Sequence, residues 1–562
     1  MSVDADGFRG LLGVAPDGKV AVLESLLAGD SSLEDLVGAS GLPRRDVEEF
    51  TAALGLGESA SNADRDSCRK LLSEYRASRA RVRPEDEPDL ERAAAELIAG
   101  VPAPRKRFDH VQATPGTLVR RVAWLTSRFD LSGRGVLFAG DHDLTSLLLA
   151  RVVPDAELTV TDIDEDLLAY IDTSGGGRVR CAWTDFRWGL PPALEQAADV
   201  VFTDPPYTPE GLGLFLSRSV TALSRRDLGS RIVVAYGHSR RRPDLGLAAQ
   251  REIARQDLVI DAMLPGFSRY AGAQAVGSAS DLYCLQLAPA AFRRAGGTHV
   301  AGIYTHGEQS VESGAANAAD LIPLLARITS SGAADPAAVG VVAADPGTAR
   351  GFGLSISLAK LLADGVHASV TGRASEIVAD LRDDPGPWLL RAMLALNAQR
   401  AVFVVPRRHE ALQRLTEGAP EWNLLRAKFA SISLAPAGDA SVSPAPAGNL
   451  VAVRCVLAPD PSGTPASGPD PGMTGGAPDE PPDPGLALTR FVARRAHGRL
   501  RNVWREGLVE ASGGTLTKRQ AADLAAEHAG ERSADLALRL IDIPAAHLRD
   551  LQAALRASAE AL

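Results

Sequence analysis

Between about residues 135 and 290, short apolar runs alternate with stretches whose apolar positions recur at helical spacing. Val136 to Ala139 forms one run, Gly140 opens a tight turn, and Leu144 to Ala150 continues with the period of a helix. Glu157-Leu-Thr-Val-Thr-Asp162 reads as a second strand, and a third short strand ends just before Asp185. Val200-Val-Phe202 reads as a buried fourth strand, and Ile232 to Tyr236 as a fifth. Leu258 to Met263 and Asp281 to Pro289 then have the look of an antiparallel closing pair. Strands alternating with helices predict an α/β fold whose ligand sits at the carboxyl ends of the strands.

The same patterns divide the rest of the chain. Residues 1–60 carry three short helical patterns, Val20–Leu27, Leu33–Val37 and Arg45–Leu54, the layout of a small winged-helix-like domain. A charged helical connector, 61–100, leads to the α/β domain at 101–290. Residues 298–460 repeat that architecture in degenerate form. A strand is expected at Ala338–Asp345, a helix at Leu354–Leu362, a strand at Ala401–Val405, and a closing pair at Phe429–Pro436 and Asn449–Pro459. Val405-Pro-Arg-Arg408 falls where a second Asp-Pro-Pro-Tyr would stand, so this domain is expected to be non-catalytic. Residues 461–485, rich in Pro, Gly and Asp, read as a disordered linker. Residues 486–562 form a helical module in which Arg494, Arg495, Arg499 and Arg501 make a basic patch.

Composition narrows the function classes. The chain of 562 residues has 45% hydrophobic and 23% charged residues, as several globular domains would. A net charge of −10, and eleven acids in residues 1–60 against Arg9, Lys19, Arg44 and Arg45, oppose phosphate binding, so nucleic acid is not an expected partner. Arginine far outnumbers lysine, which points to a GC-rich bacterial genome. Cys68, Cys181, Cys284 and Cys455 form no metal-binding spacing and read as free thiols of a cytoplasmic protein. No signal core and no eighteen-residue apolar run occur, so neither export nor a membrane is expected, and no metal site is expected.

The candidate chemistry lies at the strand ends. The first loop has no Gly-x-Gly-x-x-Gly for a pyrophosphate; after Gly140 it carries Asp141, His142 and Asp143, which suit a cationic ligand. Asp162, with Asp164 beside it, ends the second strand where such folds hold a ribose hydroxyl, and Asp185 follows the third, suited to an adenine amino group. After the fourth comes Asp204-Pro205-Pro206-Tyr207. Two prolines stiffen the backbone, so the Asp204 carboxylate is held in one geometry from which it can accept an amine proton. Asp-Pro-Pro alone also suits an ordinary strand-ending turn. Four acids in this order are the pattern of S-adenosylmethionine-type transferases. Tyr207 offers a ring face to a sulfonium or ammonium, and a core tyrosine is its plainer alternative.

From about Phe108 to Pro289 the chain resembles the branched-chain polyamine synthases, the N(4)-bis(aminopropyl)spermidine synthases. The matching pieces are Phe108-Asp-His-Val-Gln-Ala-Thr-Pro-Gly-Thr117, Gly140-Asp-His-Asp-Leu-Thr-Ser146, Asp162-Ile-Asp-Glu165, Thr203-Asp-Pro-Pro-Tyr-Thr208 and Leu214-Phe-Leu-Ser-Arg218. The resemblance implies a Rossmann-like domain behind a winged helix, a homodimer, and aminopropyl transfer from decarboxylated S-adenosylmethionine to a polyamine. It assigns Asp204 and Tyr207 to catalysis. Gln112, Thr114, Gly140, Asp141, Asp162, Asp164 and Asp185 fall on the donor, and His142, Asp143, Pro205 and Pro206 on the acceptor. Three positions depart from the family's common pattern: His142 and Tyr207 replace acids, and Gly116 replaces a glutamate. The alternatives are an S-adenosylmethionine-dependent amino-methyltransferase and a non-catalytic polyamine-binding protein.

Overall fold

The computed structural model describes residues 4–29, 32–56, 61–225, 229–239, 241–272, 274, 277–294, 328, 339–343, 353–437, 450–459 and 483–562. Seven strands form the first sheet: β1 (Gly135–Ala139), β2 (Glu157–Asp162), β3 (Val179–Trp183), β4 (Val200–Thr203), β5 (Arg231–Tyr236), β6 (Leu258–Arg269) and β7 (Ala279–Leu287). Their order is β3-β2-β1-β4-β5-β7-β6, with the first five parallel and β7 antiparallel between β5 and β6. The order reverses between β1 and β4, and in such sheets the crevice outside the carboxyl ends at the reversal is where ligands bind. Gly140 and Asp204 are the residues that leave those two strands. β6 runs past its predicted end, with register breaks at Ile260/Ala262 and Leu264/Ser268. Such breaks re-aim a strand; here they carry Ser268 and Tyr270 back over the crevice, where Tyr270 bridges to Ala113.

Six strands form a second sheet: β8 (Val339–Ala343), β9 (Leu354–Ser357), β10 (Glu376–Asp380), β11 (Arg400–Pro406), β12 (Phe429–Pro436) and β13 (Leu450–Leu457). Their order, β12-β13-β11-β10-β8-β9, with β13 antiparallel to both its neighbours, is that of the first sheet less one outer parallel strand. Two expectations change. Leu354-Ser-Ile-Ser357 is a strand, since its apolar positions alternate with period two, and the helix starts only at Leu358. The place of β4 belongs to β10, so the counterpart of Asp-Pro-Pro-Tyr is the segment after Asp380, which ends in Asp384-Pro-Gly-Pro-Trp388, and not Val405-Pro-Arg-Arg408. Asp384 there caps the following helix, accepting from the backbone N–H of Trp388 and Leu389 at 2.9 and 2.7 Å.

Residues 4–78 form five helices around their own core of Phe8, Leu23, Val47, Phe50 and Tyr75, with no strand of a wing among the described residues. From Pro484 to Glu560 the chain is helical, with Trp504 fully buried and its indole N–H bonded to Ser558 at 3.0 Å. The linker residues 461–482 lie outside the described residues. The basic patch is divided, since the Arg494 guanidinium donates to the Ala458 carbonyl while Arg495 lies 3.5 Å over the Phe491 ring. One continuous apolar core joins the first sheet (Phe138, Val160), the second (Phe403, Val405) and the tail (Trp504, Leu548). The three units are therefore packed as one body, which brings side chains from beyond residue 380 to the strand ends of the first sheet. All four cysteines are buried and unbridged, and no described helix is long and apolar enough to cross a membrane.

Candidate active site

A cavity of about 920 Å³ opens at the carboxyl edge of the first sheet, within the range of small-molecule sites. Gly140 forms its floor at φ +74, in the left-handed region; a Cβ there would come within 3.7 Å of the Asp162 carboxylate and 3.6 Å of the Phe215 ring. Asp141 lines the wall but also caps the helix Thr145–Val152, accepting from the backbone N–H of Thr145 and Ser146 at 2.9 and 3.0 Å. Burial pushes its carboxyl up to about 7. Asp162 at the end of β2 is likewise pushed up to about 7 by burial; one oxygen accepts from the Asp164 N–H at 2.8 Å.

The predicted donor residues separate at this point. Asp164 is not on the cavity wall: it caps the helix Glu165–Gly175 and pairs with Arg105 at 3.3 Å. Gln112 and Thr114 are also off the wall; the Thr114 N–H donates to the Arg269 carbonyl at 2.9 Å, bracing the segment against β6. Asp185 lines the wall, yet its carboxylate is spent. One oxygen accepts from the Arg187 backbone N–H and Nε at 3.0 and 2.9 Å, the other from Arg187 Nη2 at 2.6 Å and Trp388 Nε1 at 3.1 Å. A carboxylate has about four acceptor positions, and these four donors occupy them, where the expectation had Asp185 accept from an adenine amino group.

Arg121 organises the wall on the side of Asp143 and Asp204. Its side chain is fully buried in the helix Pro115–Arg128. Its guanidinium donates to Asp143 at 2.6 Å, Asp204 at 2.7 Å, the Tyr270 hydroxyl at 2.9 Å and Ser268 at 3.2 Å. Tyr270 donates to the same Asp204 oxygen at 2.6 Å, and Tyr207 to the other at 3.1 Å. Burial moves the Asp204 carboxyl up; Arg121 opposes this and Asp143 adds to it. Asp143 also accepts from the Ala113 N–H at 2.7 Å, so it is a braced partner of Arg121 and not a free acid awaiting a cation. Pro205 and Pro206 complete this wall.

His142 stacks on His110 with ring centroids 4.4 Å apart, and its Nε2 lies 3.3 Å from the Pro102 carbonyl. Burial lowers both imidazoles, His110 the further, which keeps them neutral. Lys106, Arg241 and Arg242 stand around the opening. Sequence reasoning missed Arg121, His110 and Tyr270. Arg121 had a signal, because it lies three residues after Leu118 and four before Leu125, on the buried stripe of its helix. Tyr270 had none, since the register breaks of β6 place it.

The parallel strand order, the reversal between β1 and β4, and the acid-lined cavity beside it define a Rossmann-like domain built to hold a small polar ligand. Residues 89–289 match the family model for the branched-chain polyamine synthase A C-terminal domain. An uncharacterised protein of Methanocaldococcus jannaschii is 38% identical over 173 residues, covering 30% of this chain and 43% of that one. An N(4)-bis(aminopropyl)spermidine synthase of Thermococcus kodakarensis is 33% identical over 184 residues, covering 31% of this chain and 51% of that one. The crystal structure of the Thermus thermophilus branched-chain polyamine synthase, in complex with N4-aminopropylspermidine and 5'-methylthioadenosine, is 24% identical. It covers 48% of this chain and 87% of that one, with a TM-score of 0.31. The chain spans about half the length of the curated relatives it matches.

Proposed function

We propose that this chain is an aminopropyltransferase that moves the aminopropyl group of decarboxylated S-adenosylmethionine to a polyamine nitrogen. The observation that carries the reading is the meeting of Asp141, Asp162 and Asp204-Pro-Pro-Tyr207 on one cavity, within a segment of the branched-chain polyamine synthase family. Asp162 and the Gly140 turn form the donor floor. Asp204 faces the acceptor. One oxygen accepts from Arg121 and Tyr270, and the other, which accepts from Tyr207, is the one we assign to the amine proton.

A polyamine nitrogen, with a pKa of about 10 like that of lysine, arrives protonated and non-nucleophilic. Asp204, raised by burial, is a better proton acceptor than a surface carboxylate. With the proton passed to Asp204, and from there to solvent, the nitrogen lone pair attacks the propyl carbon bonded to sulfur. The C–N bond forms, the C–S pair returns to sulfur, and methylthioadenosine leaves as a neutral thioether. Arg121 holds Asp204 in line for this and partly offsets the repulsion between its charge and that of Asp143. Purified full-length chain incubated with the decarboxylated donor and spermidine should release methylthioadenosine and a branched tetraamine. No product with any common di- or triamine would refute the reading.

One observation favours a second reading. Lys106, Arg241 and Arg242 at the opening, and His142 in place of an acid, would accept the carboxylate of an intact S-adenosylmethionine. Methyl or aminocarboxypropyl transfer would then follow, and tighter binding of the intact donor than of the decarboxylated one would decide for it.

A further inference from the structure

The loop after β3, residues 184–188, forms the cavity wall beyond Asp162, and its hydrogen bonds lead out of the family segment. Besides holding Asp185, the indole of Trp388 packs on Trp188 with ring centroids 4.6 Å apart, and the Arg187 guanidinium lies 4.9 Å over the Trp388 ring and 5.7 Å over that of Trp188. Three residues on, the fully buried Arg391 pairs with Glu165, donates to the Ile543 carbonyl at 2.8 Å and lies 4.7 Å over the ring of Trp183, the last residue of β3. Trp183 in turn donates to the carbonyl of Ile163, another wall residue, at 3.2 Å. Arg107, between the wall residues Lys106 and Phe108, pairs with Glu410 at 3.1 Å. Three separate strips of the wall are thus each tied to residues 388–410, all of which lie beyond the matched segment 89–289.

We infer that the second α/β domain is a working part of the cavity: Trp388, by fixing Asp185 and Arg187, is a positioning residue for the nucleoside end of the donor. The inference rests on the proposed donor site. A buried carboxylate and guanidinium need their partners to keep one geometry, and an indole that supplies both a hydrogen bond and a stacking face removes the freedom the loop would otherwise have. The backbone of residues 184–186 is then held ready for the base, with Phe186 further pinned by Arg218 Nε on its carbonyl at 2.7 Å. Trp388 opens the helix that follows β10, the strand that holds in the second sheet the place of β4 in the first.

The test uses the full chain with Trp388→Phe, which keeps the stack and loses the N–H, and Trp388→Ala, which loses both. The probe is 5'-methylthioadenosine in a calorimetric titration, followed by steady-state kinetics. Trp388→Phe should weaken nucleoside binding about 3- to 10-fold, as loss of one buried hydrogen bond does, and Trp388→Ala should weaken it further. The donor KM should rise with it while kcat moves much less, a split that general loosening of the fold would not give. Should the alanine variant not fold, the phenylalanine variant still decides. Unchanged affinity in Trp388→Phe would overturn the inference and leave the donor site standing. Tighter binding would overturn it too, showing that the indole competes with the base for Asp185. A wild-type chain that binds no methylthioadenosine would remove the donor site itself, and the inference with it.

Discussion

Asp204→Asn separates the charge of this carboxylate from its shape. Arg121 and Tyr270 both donate to Oδ2, at 2.7 and 2.6 Å, so the asparagine carbonyl must take that position. Its amide nitrogen then replaces Oδ1 beside Tyr207, 3.1 Å away, and the tyrosine hydroxyl can turn to accept instead of donate. The geometry survives; the proton acceptor does not. Loss of a positioned base lowers rates by about 10²- to 10⁴-fold, roughly 3–5 kcal/mol of barrier. Stability should change by only about 1 kcal/mol, because charge-assisted bonds become neutral ones while the unfavourable burial of a second carboxylate is relieved. Methylthioadenosine release under single-turnover conditions measures the first quantity, urea unfolding the second, and donor titration should show near-normal affinity. Wild-type activity should also rise with pH as Asp204 ionises, above the ordinary carboxylate range because burial raises it, and the variant should lack that limb. Near-normal turnover in the variant, or a loss confined to donor affinity, would refute Asp204 as the amine-activating group.

Arg121→Met leaves Asp143 and Asp204 buried without their shared cation, and removing one partner of such a set costs about 3–5 kcal/mol, readable as a lower urea midpoint. A midpoint near that of the wild type would mean the two acids share a proton and do not need the guanidinium. At the other end of the sheet, His547 of the tail lies between Asp535 at 2.9 Å and Asp172 at 3.3 Å, with Arg532 also on Asp172 at 2.7 Å. Burial lowers the imidazole, but the two carboxylates outweigh it and bring it up to about 9. A folded value above the unfolded one of about 6.5 gives stability that is full below that pH and is lost as pH rises through about 9, on the order of 3 kcal/mol in all. His547→Gln should flatten that part of the stability–pH curve; an unchanged slope between pH 6.5 and 9 would refute the assignment.

Much of the first sheet was legible in the chain because its strands are short, apolar and bounded by turns, and because a ligand site in such a sheet must lie at its carboxyl ends. Asp204-Pro-Pro-Tyr207 announces itself, since two prolines allow few backbones. The state of the acids was not legible. Asp141, Asp164 and Asp185 all stand at strand ends, where position in sequence makes them look alike. One caps a helix from the cavity wall, one caps a helix away from it, and one has every acceptor position filled by Arg187 and Trp388. Hydrogen-bond partners of that kind come from across 203 residues of chain, a distance over which no local pattern reports. The strand periods and turn residues by themselves determined where a ligand can bind. Only the tertiary structure decided which carboxylates face it, because burial and the choice of partner, not position along the chain, set whether a carboxylate is free to act.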